Sequence, residues 1–264
     1  MVREYWFDVD IQKRDIHGNI EERLQKAKHE GIATQEDNIL TGIDEEHIDI
    51  SSGVARFKVK PALFPLNYNL QKHFEPKYFC KLLSTFTHAY TGKSIDRPEF
   101  VLIQKRSKKT HQGDLQIQPA AAGFVLYNEE PHDCALRELI EETNIPDKYW
   151  MVSDNNNKPV LTNNPKCFDI TIHYLGKEKL ENLVLSYVVF VPLDSTNKFP
   201  VVENLAEIDS LDEQLNPEVK AIVKVPFASV EKFWLDVLKK GRVFGPSYRT
   251  SKNFIKYFKQ VLNC

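Results

Sequence analysis

The stretch GFVLYNEEPHDCALRELIEETNI, Gly123 to Ile145, decides how the rest of the chain is read. Inside it RELIEE, Arg137 to Glu142, places three glutamates within five residues, directly behind an arginine. Pro131 to Thr143 reads as a helix. Pro131 suits a first turn, where its missing N–H costs nothing. Asp133 complements the helix dipole at the same end. Asn144 can take the left-handed conformation that follows a helix, and Pro146 blocks continuation. At about 100° per residue, Ala135, Leu136, Leu139 and Ile140 fall on one side and can face a core. Glu138, Glu141 and Glu142 share a wedge of about 100° on the other side. Left alone, such like charges repel by roughly 0.2–0.5 kcal/mol per pair. A divalent cation reverses that sign, because Mg2+ prefers oxygen and is held by one or two carboxylates together with substrate phosphates. On RELIEE alone, a solvated acidic face and a metal site are equally good readings.

The wider spacing separates them. Five residues lie between Gly123 and Glu129, and seven between Glu129 and Arg137-Glu138. Leu139, Glu141, Glu142 and Ile145 complete the pattern. It resembles the Nudix box, G-x5-E-x7-R-E-U-x-E-E-x-G-U, where U is a bulky apolar residue. From average composition the glycine and charged positions match by chance with a frequency on the order of 10⁻⁵ for a chain this long. Asn144 stands where the family has its second glycine, and Asn128 stands where many relatives have another. Asn is the best non-glycine residue for a left-handed turn, so the backbone role survives these replacements.

The resemblance implies an α+β protein, an α/β/α sandwich with a mixed β-sheet between helices, over residues 96–264. It implies a pyrophosphohydrolase that uses Mg2+ (or Mn2+) to cleave a small-molecule diphosphate, a nucleoside diphosphate linked to another group. Glu138, Glu141 and Glu142 are then the metal-facing carboxylates, one of them serving instead as general base toward water. The Gly123 carbonyl joins the metal, and Arg137 with Glu129 braces the loop by a salt bridge. A further acid from a later loop has three candidates: Glu203, Glu207 and Glu218.

The remaining sequence is consistent with this. The chain has 264 residues, 42% hydrophobic and 27% charged, with a net charge of −2. That balance gives no global attraction to nucleic acid or anionic lipid. No apolar run is long enough to span a membrane, and MVREYWFDVD has no signal-like apolar region. The four cysteines are dispersed without a CxxC pair, which argues against zinc and a disulfide framework. A reducing, cytoplasmic setting is the expectation.

Residues 1–95 read as a separate α+β extension or small domain, a candidate partner surface or dimerisation element. Ile20, Leu24 and Ala27 have helical spacing, with Gly31 as a stop. HIDISSGVARFKVKPALF reads as one or two strands. PKYFCKLLSTFTHAY reads as a helix closed by TGKS, with the boundary near Asp96. TGKS is not a P-loop, because Thr87 occupies the position of the first glycine. Beyond it, FVLIQ, the segment around Gly123, FDITIHYL, LVLSYVVFVPL and VKAIVKV read as strands. LVLSYVVFVPL is apolar throughout, as for a strand covered on both faces. SVEKFWLDVLKKG follows as a helix with Val230, Phe233, Trp234, Val237 and Leu238 on one face. A last helix carries Phe254, Tyr257, Phe258, Val261 and Leu262.

Lys105, Arg106, Lys108 and Lys109 cluster after a strand and read first as a solvated basic loop, second as a phosphate contact. Trp150, Phe244 and Tyr248 could stack on a base, but packing is the simpler use. Cys134 reads as a small packing residue. Two other functions share the fold. Isopentenyl diphosphate isomerases use a cysteine just upstream of the box, where PAAAG has only alanines. Nudix-fold binding or regulatory modules often lose box carboxylates, and here all are present.

Overall fold

The computed structural model describes residues 6–13, 20–32, 38–64, 68–107, 116–145, 148–156, 158–175, 180–211, 215 and 219–262. Its first part holds β1 (Asp8–Lys13), α1 (Ile20–His29), β2 (Leu40–Asp49), β3 (Val54–Ala62) and the short α2 (Tyr68–Gln71). Then come β4 (Leu82–Ser94), β5 (Arg97–Arg106), β6 (Ile117–Pro119), β7 (Ala121–Phe124) and α3 (Pro131–Thr143). The chain continues through β8 (Trp150–Asp154), β9 (Pro159–Leu161), β10 (Asp169–Leu175), β11 (Leu180–Pro192) and α4 (Leu205–Ser210). It ends with β12 (Val219–Pro226), α5 (Val230–Lys239) and α6 (Ser247–Leu262).

All of these strands join one mixed sheet. Its spine is the parallel pair β4 and β11, in register from Leu82 with Asn182 to Gly92 with Pro192. Each spine strand shares its outer edge among several antiparallel partners. β4 takes β2 at Leu82, β7 along Ser84–Thr87 and β5 from Tyr90 onward. β11 takes β10 along its first half and β8 along Val188–Phe190. Successive side chains of a strand point to opposite faces, and β4 shows the two layers directly. Thr87 Oγ1 donates to the Ala135 carbonyl of α3 at 2.8 Å. The His88 ring stacks on Phe254 of α6 at 5.5 Å, and Tyr90 meets Phe258 at 4.7 Å. The fold is therefore α+β, a mixed sheet between α3 on one face and α5 with α6 on the other. Among the described residues no helix is long and apolar enough to cross a membrane.

PKYFCKLLSTFTHAY is not a helix. After a 3-10 turn at Pro76–Tyr78 it becomes β4. Nearly every residue of β4 is buried, so it carries neither a two-residue nor a helical rhythm. Its Thr85, Thr87 and Thr91 favour extended backbone, but the strand is settled by β11 pairing along its length. The division expected near Asp96 falls in the β4–β5 turn, so a central strand lies on its N-terminal side. TGKS closes that hairpin, and a Cβ on Gly92 would meet the Arg97 carbonyl.

The helix at Ile20 packs as its spacing suggests: Ile20, Leu24 and Ala27 bury against Leu63, Leu70, Phe74 and Tyr78 in a small separate core. HIDISSGVARFKVKPALF covers the end of β2 and all of β3. Trp6 meets Phe168 and Tyr257 edge-on at 5.2 Å, tying the first described residues to α6. In α5, Val230, Phe233, Trp234 and Val237 are buried, but Leu238, one residue before the helix ends at Lys239, is 45% exposed.

Candidate functional site

The site is built on β7 and α3. α3 begins at Pro131 after an extended Glu130 and ends at Asn144, whose φ of 51° and ψ of 34° are left-handed. The Asn144 N–H donates to the Ile140 carbonyl at 2.8 Å. Asn144 thus does the work of the glycine that the Nudix pattern has there. Asn128 does not share this geometry: among the described non-glycine residues only Asn144 and Asn156 have positive φ. Ala135 and Leu139 are fully buried against the sheet, and so is Cys134. Burial holds the Cys134 thiol well above its usual range, which suits packing and not nucleophilic attack.

The three glutamates do not share a solvent face. Glu142 is 4% exposed, and its Oε2 accepts the Ala122 N–H of β7 at 2.9 Å. Glu138 lies one turn back, with its carboxylate over Gly123, so that any Cβ there would collide with it. Two carboxylates therefore flank the Ala122–Gly123 peptide. Burial pushes Glu142 up to about 8, and the charge on Glu138 adds to the shift, while the Ala122 N–H, Gln104 and Arg106 oppose it. Glu141 is mostly exposed.

Arg137 organises the approach to α3. Its Nε and Nη2 donate to the two oxygens of Glu129 at 2.8 and 3.0 Å, a two-point ion pair. Nη2 also donates to the Phe124 carbonyl at 3.2 Å. Nη1 donates to Glu138 at 2.6 Å and to Glu141 at 3.2 Å. Glu129 in turn accepts the Leu126 N–H at 3.2 Å. The loop between β7 and α3 is thereby closed on itself, and both strand and helix are fixed relative to it.

Among the described residues no three His, Cys, Asp or Glu side chains are gathered as a metal cage. What is gathered is smaller: Glu138, Glu142 and the Gly123 peptide. That donor set fits a hard cation of the Mg2+ type, which takes a few protein oxygens and completes its shell with phosphate and water. It is all oxygen, it concentrates negative charge in a buried place, and that charge is at present partly met by Arg137.

Behind Glu142 lies a polar chain that the sequence did not reveal. Arg106 Nη1 donates to Gln118 Oε1 at 3.1 Å, Gln118 Nε2 donates to Gln104 Oε1, and Gln104 favours the charged form of Glu142. Both glutamines are completely buried. A glutamine ending the apolar run FVLIQ, opposite another in LQIQP, is the signal that was available. The Arg106 guanidinium also lies over the Phe244 ring at 4.6 Å, so one member of the basic cluster reaches the site. Lys105 does not: it is buried, with Nζ on the Ile208 carbonyl at 3.1 Å and Asp209 at 3.3 Å. Lys108 and Lys109 lie outside the described residues.

Of the later acids, Glu207 accepts the Glu203 N–H at 2.8 Å and belongs to the cap of α4, and Glu218 lies outside the described residues. Trp150 stacks on Phe190 at 6.2 Å. Tyr248 packs against the core on the α6 side.

The NUDIX domain family model matches residues 92–220. No curated protein matches the chain. Similar solved structures include a mutT/nudix family protein from Listeria innocua, 15% identical over 69% of this chain and 96% of that one, with a TM-score of 0.40. Another is the NUDIX domain of Shewanella oneidensis NrtR complexed with ADP ribose, 13% identical over 70% and 94%, TM-score 0.41. A third is the C. elegans Ap4A hydrolase, 13% identical over 67% and 98%, TM-score 0.36. At these values the likenesses carry no argument about substrate. The matched segment contains the whole box from Gly123 to Ile145, on a mixed sheet between helices: residues 92–220 are a NUDIX domain.

Proposed function

We propose that this protein is a metal-dependent hydrolase that cleaves the pyrophosphate of a nucleoside diphosphate linked to another group. The observation that supports it most is the meeting of Glu138 and Glu142 over the Ala122–Gly123 peptide. Two carboxylates brought together, one buried and one half-buried, are unfavourable without a counter-charge, and a fold does not need them for packing. Glu138, Glu142 and the Gly123 carbonyl would hold Mg2+ or Mn2+. When bound, such an ion neutralises the diphosphate and makes water a better nucleophile.

The rest is done by the chain. The Ala122 N–H orients the Glu142 carboxylate. Arg137 keeps Glu138 at the strand and, through Glu129, keeps the loop closed. Gln104 supports Glu142 from the buried side, and Arg106 supplies positive charge beside it. Exposed Glu141, half-buried Glu138 and buried Glu142 are the candidates for the base that takes the proton from water.

The test is a panel of nucleotide sugars, dinucleotides and coenzymes incubated with Mg2+ or Mn2+, with products read by mass spectrometry. The expected result is phosphate-ended products from some member, lost in Glu142→Gln. Turnover unaffected by that substitution sinks the site. A binding module without turnover is the second reading, favoured by one observation: Arg137 already engages Glu138 and Glu141. Ligand retained unchanged over long incubation supports it.

A further inference from the structure

FDITIHYL alternates Phe168, Ile170, Ile172 and Tyr174 with Asp169, Thr171 and His173, and in β10 beyond Ile170 the apolar set faces outward: Ile172 is 42% and Tyr174 53% exposed. The polar set points inward: Asp169 is 3% and Thr171 5% exposed. Cross-strand pairing places Asp169 beside Ser186 and His173 beside Asn182 on one face. That face lies under α6, since Asn253 Nδ2 donates to Asp169 Oδ2 at 3.2 Å. A register that buries polar groups and exposes apolar ones costs stability unless the polar groups have a use.

The groups under α6 are mostly acceptors. Asn182 Nδ2 donates to Ser84 Oγ at 2.7 Å, which leaves its Oδ1 facing inward. Asn182 Oδ1 and Ser186 Oγ are buried with no hydrogen-bond partner. Leaving a buried acceptor unmade is expensive, so these atoms point to an occupant that donates. Around these groups His173, Asn253 and Phe244 are half-buried, and Arg249, whose charge acts on Asp169, is exposed. The Phe244 ring meets His173 edge-on at 5.3 Å and lies 6.3 Å from Phe86.

These groups are joined to the carboxylates through the sheet. Asp169 pairs with Ser186, Ser186 with Phe86, and Phe86 with Ala122, one row across β10, β11, β4 and β7. Ala122 is the residue whose N–H holds Glu142. Three strand spacings make that row about 14 Å long, a distance suited to an extended nucleoside diphosphate. Its two ends differ in chemistry: carboxylates for phosphate and metal at one, uncharged acceptors with Asp169 at the other.

We propose that Asn182, Ser186 and Asp169 bind the non-reacting end of the substrate, a group rich in hydrogen-bond donors such as the amino edge of a nucleobase or the hydroxyls of a sugar, with Phe86 and Phe244 packing beside it. This rests on the hydrolase reading for what lies at the other end of the row. Buried groups shaped for one hydrogen-bond pattern reject ligands that lack it, so these residues set specificity.

The experiment uses the full chain with Mg2+ and α,β-methylene nucleoside diphosphates, which resist cleavage, in matched sets of four bases, each with ribose or deoxyribose. Calorimetry gives binding, and hydrolysis of the active panel members gives KM and kcat. Asn182→Ala and Ser186→Ala are expected to weaken binding of the preferred analogue by about tenfold or more and to flatten the ranking. KM should rise more than kcat falls. Lost discrimination among bases assigns the site to the base, and lost discrimination between sugars assigns it to the sugar. Ser186→Ala removes one oxygen, so it keeps the test alive if Asn182→Ala melts early. The proposal is overturned if folded variants bind with unchanged affinity and ranking, or if the wild type binds none of the analogues. Binding without turnover in the wild type sinks the hydrolase reading and leaves this one standing. Turnover with unmoved specificity does the reverse.

Discussion

Glu142 accepts the Ala122 N–H at 2.9 Å from a side chain that is almost completely buried. The bond joins the box helix to the strand carrying Gly123, and it fixes where one carboxylate of the pair must sit.

Replacing that carboxylate while keeping its shape separates chemistry from folding. Glu142→Gln is expected to lower metal-dependent turnover by roughly 10²-fold or more. Its melting temperature in chelator near neutral pH should be unchanged or higher, since the native state no longer has to keep a carboxyl protonated that the unfolded chain would ionise. Turnover assays paired with thermal unfolding check both halves.

Metal-free stability should depend on pH through the same residue. Its folded value is raised above the ordinary 4.5 to about 8. Between those values the native state keeps a proton that the unfolded state has lost. Stability therefore falls as pH rises through this window, by at most about 1.4 kcal/mol per pH unit. A cation binds the deprotonated pair, so stabilisation by Mg2+ should grow over the same range. Thermal melts near the two ends of the window, with chelator and with Mg2+, should show this. Glu142→Gln should lose most of both effects.

Gly123→Ala is expected to harm activity more than folding. The added Cβ would meet the end of the Glu138 side chain, which can swing aside at small cost. Melting should change little, while metal affinity and turnover should fall by about tenfold or more, as the paired carboxylate loses its position. Calorimetric titration with Mn2+ alone reads the affinity.

The Arg137–Glu129 clasp is a stability element with a kinetic consequence. Glu129→Ala leaves a mostly buried guanidinium without its two-point partner and should destabilise by about 1–3 kcal/mol in urea unfolding. Arg137→Lys keeps the charge but cannot donate to both oxygens in one plane. It should therefore lose part of the same stability, and turnover as well, because Glu138 would no longer be held from its own helix.

The sequence by itself determined the helix from Pro131 to Thr143, its left-handed end at Asn144 and the spacing that identifies the box. These are local: a proline start, a turn-tolerant asparagine and residues within a few turns of one another set them. It also placed α1, α5 and α6, whose apolar stripes repeat at helical spacing. Tertiary structure decided the rest. β4 is a strand because β11 and α6 cover it, and burial on both faces erases any rhythm. Glu142 is buried because β7 lies against α3, which a helical wheel cannot show. The Gln104–Gln118 chain and the polar inner face of β10 arise from pairing between distant segments. An isolated strand has two equivalent faces, and only its neighbours settle which one is the interior.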